Sequence, residues 1–297
     1  MKTQTNSAPD PAKAEPETVA TASRASGPLP LSARVGLVIL AAYAFVVILG
    51  PSLAPYSTGE IISVKAYSSQ IEGAFLGTDA LGRDLLSRML HGARLTILLA
   101  FAATALGFVG GVVVGFAAAE IRGWFDDVIT RLIDVFISIP PIMFALLVIA
   151  GIGSSIPSLV GIVAVVQAPR VARVARAVAM DISVFDFVEV ARARGESIWS
   201  LLQREILPNS IRPLAADFGL RFTYSILYLA ALSFLGLGIQ PPESDWGGMV
   251  RENLVGLYFG ALAALMPAAA IALLTVGINL VCDWLAGGRD ISRELLR

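Results

Sequence analysis

Apolar residues gather into five long runs, at approximately 35–53, 95–119, 134–152, 214–237 and 258–284. Each is near or above the roughly 20 residues that a helix needs to cross the hydrocarbon core of a bilayer. A sixth run, Ile156–Ala168, is short and is followed directly by Pro169-Arg170. Alone, it reads equally as a re-entrant or buried segment. The first run, Val35–Pro55, lies too far from the amino terminus for a signal peptide and lacks a clear small-residue cleavage site, so it reads as an uncleaved span. Before it, residues 1–31 hold Pro9, Pro11, Pro16, Pro28 and Pro30 without apolar periodicity, the pattern of a disordered tail.

Charge decides the status of the short sixth run. Cytoplasmic segments of membrane proteins are enriched in Lys and Arg. With six spans and a cytoplasmic amino terminus, sixteen such residues lie inside and five outside, with Arg221 inside a span. Dropping the fourth span gives seven inside and fourteen outside. The chain is therefore expected to be an all-α integral membrane protein with six transmembrane helices, at approximately 35–53, 95–119, 134–152, 156–174, 214–237 and 258–284. Both termini are expected in the cytoplasm, and Arg170 and Arg173 snorkel to the inner interface.

Composition agrees. Of 297 residues, 56% are hydrophobic and 15% charged, against roughly 25% charged in a soluble domain; the mean hydropathy is +0.74. A net charge of −1 gives no electrostatic case for nucleic acid. A single Cys282 cannot form an internal disulfide, and with one histidine, His91, no His/Cys metal constellation is expected. None of Lys2, Lys13 and Lys65 stands in a Gly-Lys-Ser/Thr triplet, so a phosphate-binding loop is absent. Work driven by ATP would need another chain to hold the nucleotide.

Local patterns within the spans point to packing. Gly107, Gly111 and Gly115 share one helix face, a spacing that lets another helix approach closely. Pro140-Pro141 interrupts the third span, where a broken backbone lines a cavity or packs against protein. Asp217 and Arg221, four apart, fall on one face and pair. Asp134 and Asp283 sit near inner ends. Tyr224, Ser225 and Tyr228, with Pro140 and Pro141, are the candidates for lining a pathway.

The longest inward-facing segment, 181–213, predicts a short helix, a turn at Gly195 and a second short helix that Pro208 ends. Phe187, Val190 and Ala191 fall at helical spacing, as do Ile198, Leu201 and Leu202. Such an amphipathic elbow suits docking into a partner's groove or lying on the membrane surface.

The elbow resembles the EAA loop of ABC-importer permeases. Glu189, Ala191, Gly195, Leu207 and Pro208 fall in register with that motif, while Val190 stands for its central alanine and Glu205 for its usual isoleucine. The segment Phe75–Ile97 resembles the signature before the second span in the dipeptide/oligopeptide/nickel group, through Gly77, Thr78, Asp79, Gly82, Arg83, Asp84, Ser87 and Arg88 among others. Ala231–Asn253 resembles the same group after the fifth span. Residues 32–297 are thus identified as a type I ABC-importer permease domain.

The resemblance implies a permease subunit without catalysis. It would pair with a homologous second permease, two cytoplasmic ATPase subunits that hold ATP and Mg, and an extracytoplasmic solute-binding protein, in the bacterial inner membrane. Peptides, nickel chelates, opines and glutathione-like compounds are the implied cargo. ATP closure of the ATPases would move the elbow and rock the spans from inward-open to outward-open. An ion-coupled transporter would need a membrane-buried acid, for which Asp217 is the one candidate, and a membrane enzyme lacks its clustered catalytic groups.

The outer side carries two local expectations. Thr78 or Asp79 caps a helix lying flat at the outer interface, with Arg83, Asp84, Ser87 and Arg88 on its polar side, before the second span begins. After the fifth span, Gly236, Gly238, Pro241, Pro242, Gly247 and Gly248 punctuate a tight outer loop, with Trp246 in the interfacial belt.

Overall fold

The computed structural model describes residues 29–68 and 73–286; the tail expected at 1–31 lies almost wholly outside the described residues. The described chain is helical, with isolated bridges at Ile61–Arg83 and Thr78–Asp84. In order, the α-helices are α1 (Leu31–Leu53), α2 (Leu85–Ile121), α3 (Gly123–Ser138), α4 (Pro141–Ile152), α5 (Ile156–Ile182), α6 (Asp186–Ala193), α7 (Ile198–Leu201), α8 (Leu207–Phe234), α9 (Trp246–Glu252) and α10 (Leu265–Ala286). Inner and outer ends are those of the orientation that the charge distribution predicts.

Among the described residues, no flat interfacial helix precedes the second span. Asp84, not Thr78 or Asp79, caps α2, its Oδ2 accepting from Ser87 N at 2.7 Å and Ser87 Oγ at 2.6 Å. From there α2 runs unbroken for 37 residues, about 54 Å at 1.5 Å per residue. It stops where Arg122 and Gly123 both take positive φ, 56° and 62°.

The expected third span is two helices, α3 and α4, bent by 87°. Pro141 lacks an N–H and holds Pro140 extended, and Ile139 before Pro140 is extended for the same steric reason. The short sixth run, by contrast, belongs to a 27-residue helix that absorbs Pro169, so the re-entrant alternative falls. Pro208 does not end the elbow: it lies in the first turn of α8, and α7 passes into α8 through a π turn at Leu202–Ile206. Pro208 cannot donate to the carbonyl four residues back, and the helix widens there. The last span begins at Leu265 instead of 258, because Leu254–Phe259 forms a 3₁₀ turn closed by Gly260 at φ 69°.

Four helices, α1, α2, α5 and α10, are long and apolar enough to cross a membrane, and the bent pair α3–α4 makes a fifth if it is one span. With 28 residues α8 has the length, but Pro213, Asp217 and Arg221 leave it without an apolar stretch as long as those of the other four.

Small residues set the packing, as expected where lipid offers no hydrophobic drive between helices. A Cβ on Gly107 or Gly111 would lie 2.6 Å from the carbonyl oxygens of Ala164 or Ala168, and one on Gly115 would collide with that of Ala172. The three glycines thus seat α2 against the alanine stripe of α5 over more than two turns. Helix α1 meets α10 through another pair, Gly36 and Gly277: a Cβ on Gly36 would reach the Gly277 carbonyl at 2.9 Å. Two buried clusters result. The larger joins α2, α4, α5, α8 and α10 to Trp246 and Met249 of α9. The smaller, at the inner end, unites the elbow with α2, α5 and α8.

Candidate functional site

The inner elbow is built on a small apolar seat. Val188 and Ala191 of α6 are fully buried, together with Leu201, Leu202 and Ile206, against Phe116 and Ala119 of α2 and Ala175, Ala179 and Ile182 of α5. The stripe of Phe187, Val190 and Ala191 is divided: Ala191 turns into the bundle, while Phe187 and Val190 point outward. Small side chains, not the largest ones, fill the seat. Outside lies an apolar face of Val184, Phe185, Phe187, Val190, Ile198 and Trp199, with the Phe185 and Phe187 rings stacked at 5.8 Å. Glu189 is exposed beside this face and forms none of the ion pairs found among the described residues.

Gly195 closes α6 with φ 78°, its N–H donating to Arg192 O at 2.9 Å while Glu196 N donates to Ala191 O at 3.3 Å. Nothing lies within 4 Å of a Cβ built there, so backbone conformation, not space, calls for glycine. Glu196 accepts from Arg194 Nη2 at 2.8 Å and from Ser200 Oγ at 2.9 Å. These two bonds, Arg194 first, hold its carboxyl below the usual carboxylate range. Leu207 and Pro208 start α8 and carry the elbow into that helix.

An ionic belt surrounds the seat. Arg192 Nη2 bridges both carboxylate oxygens of Glu120, reaching Oε2 at 2.7 Å. Arg122 donates to Ser183 Oγ at 3.3 Å, and Arg176 grips Asp126 with Nε and Nη2, each at 2.5 Å. Arg173 pairs with Asp134. Sequence reasoning does not single out Glu120 and Arg192; neither is marked by spacing, because the pair joins residues 72 apart.

The pathway candidates divide. Ser225 is fully buried within this chain, accepting from Thr104 Oγ1 at 2.8 Å and approached by Gln167 Nε2 at 3.4 Å. It ties α8 to α2 and α5. Tyr224 is exposed and Tyr228 half-buried, their rings stacked at 6.3 Å on the outward side of α8. Pro140 is exposed at the break between α3 and α4, and Pro141 is half-buried. Arg221 donates to Asp217 Oδ1 from Nη2 at 2.9 Å and from Nε at 3.1 Å, as their spacing predicts.

The outer motif is a buried ion cluster. Asp79 Oδ2 accepts from Arg83 Nε at 2.7 Å and from Arg88 Nη1 at 2.5 Å. Glu252 Oε2 accepts from Arg83 Nη2 at 2.7 Å and Arg88 Nη1 at 2.8 Å. Arg88 is 1% exposed, and Asp79, Asp84 and Ser87 are fully buried. The expected solvent-facing polar side thus turns inward, because Glu252 and Asn253 of the later outer segment cover it; Asn253 Oδ1 accepts from Ala80 N at 3.0 Å. Gly77 and Gly82 take positive φ, 75° and 76°, and Thr78 Oγ1 accepts from Ser68 N at 2.9 Å. Trp246 is likewise not in an interfacial belt: it is 1% exposed, and its Nε1 donates to Met89 O at 3.1 Å.

Known proteins are similar to this chain in sequence and in fold. Residues 111–288 match the family described as "Binding-protein-dependent transport system inner membrane component". A glutathione transport system permease protein of Pectobacterium atrosepticum is 36% identical over 216 residues, covering 73% of this chain and 72% of that protein. A dipeptide transport system permease protein of Alkalihalophilus pseudofirmus is 30% identical, covering 86% and 84%. A di/tripeptide transport system permease protein of Pseudomonas aeruginosa is 33% identical, covering 86% of each. Among solved structures, the MetNI methionine ABC transporter in inward-facing conformations aligns with a TM-score of 0.55 at 19% identity, covering 66% of this chain and 93% of that one.

Proposed function

Because the chain belongs to the family of binding-protein-dependent transport system inner membrane components, and so is a membrane permease subunit of an ABC importer, we propose that it carries peptides or peptide-like solutes and is driven through its elbow. It has no catalysis of its own; ATP hydrolysis belongs to a partner ATPase, and a binding protein completes the system. The cargo reading is supported by relatives named for glutathione and for di- and tripeptides.

In this reading the protein pairs with a homologous second permease, above two ATPase subunits that hold ATP and Mg, in the bacterial inner membrane. Six spans cross it, α8 being the sixth with α3–α4 counted as one, and both termini are cytoplasmic. Domain 32–297 forms the permease body, and 181–213 forms the coupling loop. The observation that carries the reading is the exposed apolar face of Phe185, Phe187, Val190 and Trp199 beside the exposed Glu189. Apolar patches rimmed by charge mark protein contacts. Gly195 sets the angle between α6 and α7, and Val188 and Ala191 seat the elbow on α2 and α5. Closure of the ATPases on ATP would press this face, and α2, α5 and α8 would carry the motion through the membrane. Tyr224 and Tyr228 line the pathway facing the sister permease.

The test is substitution in the assembled transporter. Gly195→Pro forces φ near −65° and deletes the N–H bond to Arg192 O; Glu189→Lys reverses the charge beside the docking face. Both are expected to insert normally and abolish uptake. Wild-type uptake by a well-expressed Gly195→Pro protein would remove the elbow from the mechanism.

A further inference from the structure

We infer that the Glu120–Arg192 ion pair is the joint that transmits elbow motion to the rest of the permease, distinct from the surface that the ATPase touches. This inference rests on the elbow being the driven element. Arg192 sits on α6 facing the bundle, and Glu120 lies in the last turn of α2 with its side chain 3% exposed. A carboxylate at a helix C-terminus opposes the helix dipole, and burying it costs free energy unless it is paired. Glu120 therefore serves α2 poorly by itself. It is held there by a guanidinium nitrogen bridging both of its oxygens.

The apolar seat explains why a directional contact is needed. Val188 and Ala191 are small and their contacts are non-directional, so burial alone does not couple a small roll of α6 to a defined direction of movement in α2. A charge-assisted hydrogen bond has a fixed direction, so the pair converts a roll of α6 into a pull on α2. Helix α2 itself is stiff. Its glycine stripe locks it to the backbone of α5, and it continues without a break to Arg88, which is joined to Glu252 of α9 at the outer end. Displacement at Glu120 is thereby delivered about 50 Å away. Glu120 and Arg192 are positioning residues in this scheme.

The experiment uses the complete transporter, with sister permease, ATPases and binding protein, in proteoliposomes. Uptake and ATP hydrolysis are measured for Glu120→Arg, Arg192→Glu, the milder Glu120→Gln, and the double exchange. Each charge reversal is expected to keep its ATPase subunits and basal hydrolysis within twofold of wild type. Uptake per ATP hydrolysed should fall at least tenfold, Glu120→Gln should fall less, and the double exchange should recover at least a third of the wild-type ratio. An unchanged ratio in the single variants would overturn the inference. So would loss of the ATPase from the single variants, which would make the pair part of docking, or failure of the double exchange to restore coupling. If the charge reversals do not fold, Glu120→Gln with a wild-type ratio overturns it equally. Wild-type protein that retains no ATPase would refute the functional reading instead.

Discussion

An alanine at Gly111 would place its Cβ 2.6 Å from the Ala168 carbonyl oxygen and 2.6 Å from Val171 Cβ, both on α5. Ordinary contact begins near 3.4 Å, so the two helices must part by about 0.8 Å. Neither neighbour is the far end of a flexible side chain, and the strain cannot be relieved by a rotamer change. A gap of about 0.5–1 Å forfeits a quarter to a half of each dispersion well of ~0.1–0.2 kcal/mol. Spread over about 30 atom pairs along the stripe, that is a loss of about 1–2 kcal/mol, within the ~1–3 kcal/mol of overpacked cores. Gly110 is the control, because nothing lies within 4 Å of a Cβ there. Alanine at Gly110 should gain up to ~1 kcal/mol of helix propensity. Gly111→Ala draws on the same gain and still ends lower. The adjacent variants should therefore differ by about 1–2 kcal/mol, on the order of 2–8 °C in thermal midpoint at ~2–4 °C per kcal/mol. Intrinsic fluorescence during heating, with the protein in nanodiscs, reads this difference. Equal midpoints, or a higher one for Gly111→Ala, would refute close backbone packing of α2 on α5.

The outer segment supplies two more expected outcomes. Arg88→Met strips the doubly engaged guanidinium from Asp79 and Glu252, and breaking a buried pair costs about 3–5 kcal/mol; Arg94→Met, at an exposed position outside every ion pair found among the described residues, should stay within ~0.5 kcal/mol. Yields and melting of the two proteins compare them directly, and equal values would argue that the cluster contributes nothing. Burial pushes the Asp245 carboxyl above the ordinary carboxylate value, although bonds from Ser233, Gly248 and Gly247 pull it down. A raised folded value means that no stability is lost below about pH 3.9, the unfolded value, and that stability falls as pH rises through the folded one. Asp245→Asn keeps an acceptor for Gly248 N–H, so it should match wild type in acid and melt higher at pH 7. A lower midpoint at pH 7 would show that ionised Asp245 is favoured.

Features written in short-range spacing are legible in the order of residues alone: the apolar runs, the helix–glycine–helix elbow, the Asp217–Arg221 pair and the glycine stripe of α2. Each depends on residues within a turn or two of one another, where helical geometry alone places them on one face. The alanines that receive that stripe, the side of α6 that is buried and the fate of Pro208 depend on neighbours from other helices. Periodicity groups Phe187, Val190 and Ala191 on one apolar stripe, but of these only Ala191, with Val188, enters the seat between α2 and α5. The outer motif shows the same divide most clearly. Arg83, Asp84, Ser87 and Arg88 look like a solvated face because their sequence neighbours supply too few partners for two arginines. Glu252, more than 160 residues away, neutralises them and permits their burial. A chain carries its local geometry in its own succession of side chains, whereas the cost of burying a charge is settled only where distant segments meet.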